Sequence, residues 1–331
     1  MQNIPEDEIA ISAQGMRCRY GSFEAVKGID LTIRHGEFFA LLGTNGAGKT
    51  TTMETLEGHR AVSSGEVRLL GGDPFLNKVQ LRPRLGIMLQ EAGFADDLSV
   101  QETVDLWLKL SSAVSGSATA RKRITAQALE TLELSNKATV RVKQLSGGQR
   151  RRLDLVLATV NRPEVLFLDE PTTGLDPESR ARTWSVISEL HRNGTTIFLT
   201  THYLEEATQL AERLAIMHEG QLALSGTVSE VLSSEPAIIS FSLPLGSSLE
   251  GLSPTPTVSV EASELRLTIR TQQLQTDLGR LLNWAAGRNL VLARLNASEA
   301  SLDEVFRRIS SAGSSSSTPD QSKALKLEAS R

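Results

Sequence analysis

Residues 43–50 read Gly43-Thr44-Asn45-Gly46-Ala47-Gly48-Lys49-Thr50, directly after the apolar run Phe38-Phe39-Ala40-Leu41-Leu42 and directly before a helix-forming stretch, Thr51 to Glu57. Gly43, Gly46 and Gly48 let the backbone close around a polyphosphate, so that successive N–H groups and the positive end of the following helix face the anion. Lys49 then supplies a point charge for the β- and γ-phosphates, and Thr50 a hydroxyl for Mg²⁺. Strand, loop and helix in this order predict binding of a nucleoside triphosphate, with Thr44, Asn45, Ala47 and Thr51 completing the turn. The loop alone leaves a GTPase, a kinase, a helicase and a motor open.

Two later stretches narrow that list. Residues 165–176 read V-L-F-L-D-E-P-T-T-G-L-D. The run Val165 to Leu168 suits a central strand of a parallel sheet buried on both faces. Its end delivers two adjacent carboxylates that point opposite ways, Asp169 to hold Mg²⁺ and Glu170 to polarise the water that attacks the γ-phosphorus. Residues 145–149 read L-S-G-G-Q, ahead of a helical pattern from Gln149 to Val160. Ser146, Gly147 and Gly148 therefore form a second helix N-terminus with free N–H groups, capped by a serine hydroxyl.

With these motifs in this order over roughly the first 230 residues, a span suited to one ordinary domain, the chain resembles the ATP-binding cassette family. The resemblance implies ATP and Mg²⁺ as ligands and Glu170 as the catalytic base. It implies that Ser146, Gly147, Gly148 and Gln149 contact the γ-phosphate bound on the opposite subunit, so that a head-to-tail homodimer holds two ATP molecules at its interface. Asp176 would lie across that interface. Gln90, after the run Leu85 to Leu89, stands where the family places a glutamine that senses Mg²⁺ and the attacking water. His202, after the strand Thr196 to Thr200, stands where a switch histidine contacts the γ-phosphate. Tyr20, ahead of Gly21, stands where an aromatic ring stacks on adenine, a contact worth about 1–3 kcal/mol in nucleic-acid cases.

Composition is consistent with this. At 331 residues the chain can bury a full core and exceeds one typical domain. Lys plus Arg is 35 and Asp plus Glu is 39, a net charge of −4, which gives no electrostatic case for nucleic-acid binding. A single cysteine, Cys18, excludes an internal disulfide. Met1 to Ile9 carries acids and a proline, with no charged-then-apolar leader. No run of about 18 apolar residues occurs, so any membrane-spanning part is expected on another polypeptide.

The expected fold is an α/β P-loop NTPase cassette with a mixed sheet and a helical subdomain, followed by a small α+β domain. We place the cassette at residues 1–232, with its helical subdomain at about 90–144. Within the subdomain, helices are expected at Val104 to Leu110 and Ala126 to Leu134, around a flexible Ser-Gly stretch from Ser111 to Thr119. Ala215 to Gly220 and Leu222 to Gly226 read as a hairpin.

The accessory domain is placed at residues 233–309. It offers strands at Ile238 to Leu243, Thr257 to Val260, Leu265 to Arg270 and Val291 to Leu295, with helices at Leu274 to Ala286 and Ser301 to Ile309. Residues 310–331, with four consecutive serines, are expected to be a disordered tail. This module looks like the C-terminal extension of drug-exporter ATPases of the daunorubicin-resistance type, whose permeases are separate proteins. The resemblance thus implies the ATPase subunit of an exporter, held at the cytoplasmic face of the membrane by a permease. The alternative is a soluble cassette ATPase in translation, DNA repair or regulation, whose usual second cassette, or coiled-coil or zinc insertion, does not occur here.

Overall fold

The computed structural model describes residues 5–88, 93, 95–111, 117–261 and 264–314. They form two compact units that divide between Ser225 and Gly226.

The first unit opens with strands β1 (Ile9–Tyr20), β2 (Phe23–Arg34) and β3 (Phe38–Gly43), then helix α1 (Lys49–Leu56), β4 (Ser64–Leu69), α2 (Lys78–Leu81) and β5 (Leu85–Met88). Helices α3 (Val100–Leu110) and α4 (Ala118–Thr131) follow, then α5 (Gly147–Thr159), β6 (Val165–Asp169), α6 (Pro177–Arg192) and β7 (Thr196–Thr200). The unit closes with α7 (Leu204–Leu210), β8 (Arg213–His218) and β9 (Gln221–Thr227), whose last two residues lie past the division. Strands β2, β1 and β4 make one antiparallel sheet. The other is six-stranded, in the order β5-β6-β7-β3-β8-β9, with β5, β6, β7, β3 and β8 parallel.

Every residue of β3, β6 and β7 is buried, and these strands are accordingly written as near-continuous apolar runs, with Asp169, Thr196 and Thr200 the polar residues at their ends. One continuous core joins the two sheets: Ile11, Met16 and Ile29 of the antiparallel sheet share it with Phe39, Phe167 and Phe198 of the parallel one, and with Met53 and Leu56 of α1. The turn Glu219-Gly220 joins β8 to β9 with both residues at positive φ, 46° and 83°, the geometry a two-residue hairpin favours.

The helical subdomain closes on itself. Leu98 and Asp96 accept from Val142 N–H (2.9 Å) and Lys143 N–H (3.1 Å), and Val140 accepts from Val100 N–H (3.0 Å). The stretch leading into α3 is thereby tied to the stretch leading into the L-S-G-G-Q segment. Both subdomain helices start earlier than the apolar spacing suggests. Ser99 and Glu102 form a reciprocal capping box that opens α3, and the Ser117 hydroxyl accepts from Ala120 N–H at the start of α4, so polar caps set the ends. Ala118 and Thr119 are helical, and of the stretch expected to be flexible residues 112–116 lie outside the described residues.

The second unit holds α8 (Val228–Ser233), β10 (Ala237–Pro244), β11 (Thr257–Glu261), β12 (Glu264–Thr271), α9 (Leu274–Ala286), β13 (Ala293–Ser298) and α10 (Leu302–Ser314). Its sheet runs β11-β12-β10-β13, antiparallel throughout. Helix α9 buries Leu281 and Trp284 against Ile239, Phe241, Leu267 and Ile269. The unit begins ahead of the boundary read from sequence because α8 packs with α10. Helix α10 continues past Ile309 to Ser314, into the segment assigned to the tail; residues 315–331 lie outside the described residues.

Candidate active site

Strand β3 ends at Gly43, and the chain turns through Thr44, Asn45, Gly46, Ala47 and Gly48 before α1 begins at Lys49. Gly48 caps the helix at φ 105°, and a Cβ there would stand 2.6 Å from the Ala25 carbonyl oxygen; only glycine fits. The Lys49 ammonium donates to the carbonyls of Gly43 (2.8 Å) and Thr44 (3.1 Å). Burial lowers its pKa, while the charges of Glu170 and Asp169 act to raise it, so lysine and carboxylates face one space. Thr50 is exposed one residue further on. The Tyr20 hydroxyl lies 3.2 Å from Thr51 Oγ1, and the guanidinium of Arg60 lies 3.9 Å over the tyrosine ring.

Across this space, β6 ends in Asp169, and Glu170 follows. Asp169 Oδ1 accepts from the Thr200 hydroxyl of β7. Burial pushes the Asp169 carboxyl up, opposed chiefly by that hydrogen bond. Glu170 sits at φ 47°, a strained setting for a non-glycine residue. Its N–H donates to the Thr200 carbonyl (2.9 Å), and its carboxylate meets His202 Nδ1 at 3.1 Å and accepts from Thr173 Oγ1 at 3.2 Å. From behind, the Arg151 guanidinium of α5 donates to the carbonyls of Asp169, Glu170 and Pro171.

The L-S-G-G-Q segment forms the start of α5. Ser146 Oγ accepts from Gln149 N–H (3.3 Å), and Gln149 Oε1 accepts from Ser146 N–H (3.0 Å). This box uses the serine and glutamine internally, and at Gly147 the place of a Cβ is open space. A Cβ on Gly148 would lie 3.4 Å from Leu175 and 4.0 Å from Ser179 Oγ. Asp176 therefore neighbours this helix start. It caps α6, accepting from Ser179 N–H (2.9 Å), which with the Ser179 hydroxyl holds its pKa down. Behind the turn, buried Glu206 accepts from Thr172 (2.6 Å), Trp184 (3.1 Å) and Thr201 (3.0 Å).

Lys49, Asp169, Glu170 and His202 thus come together, with Tyr20 at the phosphate loop. Ser146, Gly147, Gly148, Gln149 and Asp176 form a second group, and among the described residues no hydrogen bond or ion pair joins it to Lys49. Gln90 lies outside the described residues. Arg151, Thr200 and Glu206 escaped the sequence reading. Arg151 stands in an Arg-Arg-Arg run and Glu206 in a Glu-Glu pair, where solvated neighbours disguise a buried member. In Arg151-x-x-Asp154 the helical spacing of opposite charges was a usable signal.

Comparison with known proteins gives the following. The family model "ABC transporter" matches residues 26–173, and "ABC transporter domain-containing protein-like, C-terminal domain" matches residues 237–301. The daunorubicin resistance ATP-binding protein DrrA3 of Streptomyces coeruleorubidus is 39% identical over 68% of this chain and 70% of its own. A Nod factor export ATP-binding protein I of Paraburkholderia xenovorans is 40% identical over 69% and 74%. The linearmycin resistance ATP-binding protein LnrL of Bacillus subtilis is 29% identical over 89% of this chain and 96% of its own. Among solved structures, the dimeric bacterial ABC transporter cassette MJ0796 superposes with a TM-score of 0.61 at 26% identity, covering 66% of this chain and 98% of that one.

Proposed function

The chain belongs to the ABC transporter family as one of its ATPases, and from that premise we propose that it is the ATP-hydrolysing subunit of an exporter whose membrane-spanning permease is a separate protein. The carrying observation is the extent of similarity to LnrL, which runs through both units and covers 96% of a protein named for resistance to linearmycin. Efflux of a drug or antibiotic-type molecule is the transport so assigned. Among the described residues no helix is long and apolar enough to cross a membrane. In this reading the chain sits at the cytoplasmic face of the membrane, bound to the permease through the helical subdomain, where Leu106, Trp107 and Leu110 of α3 are exposed.

In the proposed mechanism Lys49 exchanges its two carbonyl partners for the β- and γ-phosphates, and the adenine stacks at Tyr20. Thr50, Asp169 and Gln90 would hold Mg²⁺. Among the described residues no group of three or more His, Cys, Asp or Glu forms a cage, which fits a cation bound by one carboxylate, waters and phosphate oxygens. When bound, it would counter negative charge on the phosphates. Glu170, fixed by His202 and Thr173, orients water for in-line attack on the γ-phosphorus. The α5 N-terminus with Asp176 serves the nucleotide on a second copy, so that ATP closes a head-to-tail homodimer and hydrolysis opens it.

The test pairs two variants. Lys49→Ala should fold but lose ATP binding, measured by nucleotide titration. Glu170→Gln should bind ATP with about the affinity of the parent and hydrolyse it at least about a hundredfold more slowly. A parental turnover rate in Glu170→Gln would remove the base assignment. Purification from detergent-solubilised membranes should bring down an integral membrane protein, and recovery of none would overturn the exporter reading.

A further inference from the structure

Arg151 connects two parts of the molecule that the proposed mechanism assigns to different nucleotides. It lies on α5, whose N-terminus carries Ser146 to Gln149, yet its guanidinium is spent on the turn that carries Glu170. Three successive carbonyls accept from it: those of Asp169 and Glu170 through Nη2, the latter at 2.8 Å, and that of Pro171 through Nε at 3.2 Å. Nη1 lies 3.5 Å from Asp154 Oδ2, one helical turn on, and both side chains are only 11% exposed. The turn so held is a strained one: Glu170 is at φ 47° immediately before a proline, where that residue is sterically restricted as well. On its other side the turn is tied to β7 by Glu170 N–H to Thr200 C=O. The backbone that carries the Glu170 carboxylate is therefore held between β7 and α5, with Arg151 on the α5 side.

We propose that Arg151 is a positioning residue for hydrolysis, fixing the Glu170 turn to α5 so that docking of the α5 N-terminus on one nucleotide sets the carboxylate that works on the other. The proposal rests on the reading of Glu170 as the base and of the two-copy site. Arginine is suited to the task because its planar fork presents several N–H groups in fixed directions, whereas an ammonium is a point charge on a flexible stem. A base held slightly out of line loses rate far more than affinity, since ground-state contacts of the nucleotide with Lys49 are untouched; a displacement of about 1 Å can cost a hundredfold.

The experiment uses the full chain with Arg151→Lys, Arg151→Met, Glu170→Gln and the double variant Arg151→Lys/Glu170→Gln, with MgATP as substrate and a fluorescent ATP analogue as binding probe. Arg151→Lys should keep analogue affinity and KM within about threefold while kcat falls about tenfold to a hundredfold. Arg151→Met, with no donor, should do no better. In the Glu170→Gln background Arg151→Lys should change the residual rate by less than about twofold, because the group it orients is gone. Parental kcat in Arg151→Lys beside an inactive Glu170→Gln overturns the proposal and leaves the base assignment standing. Parental turnover in Glu170→Gln removes the base assignment instead. Loss of melting temperature and analogue affinity together with kcat in Arg151→Lys, or multiplying rate losses in the double variant, assigns the arginine to packing and also overturns it.

Discussion

Asp154 shows at the scale of one residue how burial acts on a charge. It is 8% exposed, and burial pushes its carboxyl from the ordinary 3.8 up to about 7, against the pull of Arg151. Between those two values the native chain holds a proton that the unfolded chain has released. Stability is therefore greatest below the lower value, falls as pH rises towards 7, and is level above it. From pH 5 to pH 8 this one group should remove roughly 3 kcal/mol. Asp154→Asn cannot ionise, so its denaturant midpoint should change less between those two pH values than that of the parent. An equally steep decline in the variant would place the ionisation elsewhere.

At the scale of the element, the start of α5 should separate two kinds of loss. Ser146→Ala removes a cap whose usual worth is about 1 kcal/mol and should lower stability by that order while ATP still binds. Ser146→Arg adds bulk and positive charge at the point proposed to dock on a second copy's nucleotide. It should bind ATP as a monomer and, on size-exclusion chromatography with ATP and Mg²⁺ in the Glu170→Gln background, fail to shift to the dimer position that Glu170→Gln alone reaches. A dimer there would reduce the serine to a cap. Elements written in local chemistry were legible from sequence: Thr196–Thr200 is the strand that its apolar run describes, and Lys49–Leu56 follows its loop as the motif requires. Elements fixed by partners were not. Val291 is exposed, and the last strand of the accessory sheet runs at Ala293–Ser298 because pairing with β10, Ile238 opposite Ser298, sets its place. Likewise the motifs that hold Lys49, Asp169 and Glu170 could be found from their spacing, whereas the partners of Arg151 lie about twenty residues along the chain and meet it only in the folded state.

At the scale of the whole molecule, each unit has a hydrophobic core of its own. A chain ending at Thr227, which keeps β9 whole, should therefore fold and bind ATP within about threefold of the full chain, because every residue assigned to nucleotide lies before that point. A folded but non-binding truncation would mean that the second unit helps shape the site. The hydrogen bonds around Glu206 bear on how such a chain tolerates change over generations. Thr172, Trp184 and Thr201 reach one carboxylate from three different places in the first unit. Loss of any one of them leaves Glu206 the other two and its ion pair with Arg180 at 3.8 Å, and removes about 1.5–3 kcal/mol. Loss of Glu206 strands three buried donors together. Drift is therefore open at the spokes and closed at the hub, and lineages that change a spoke keep the option of returning, whereas those that lose the hub must rebuild three positions to survive it.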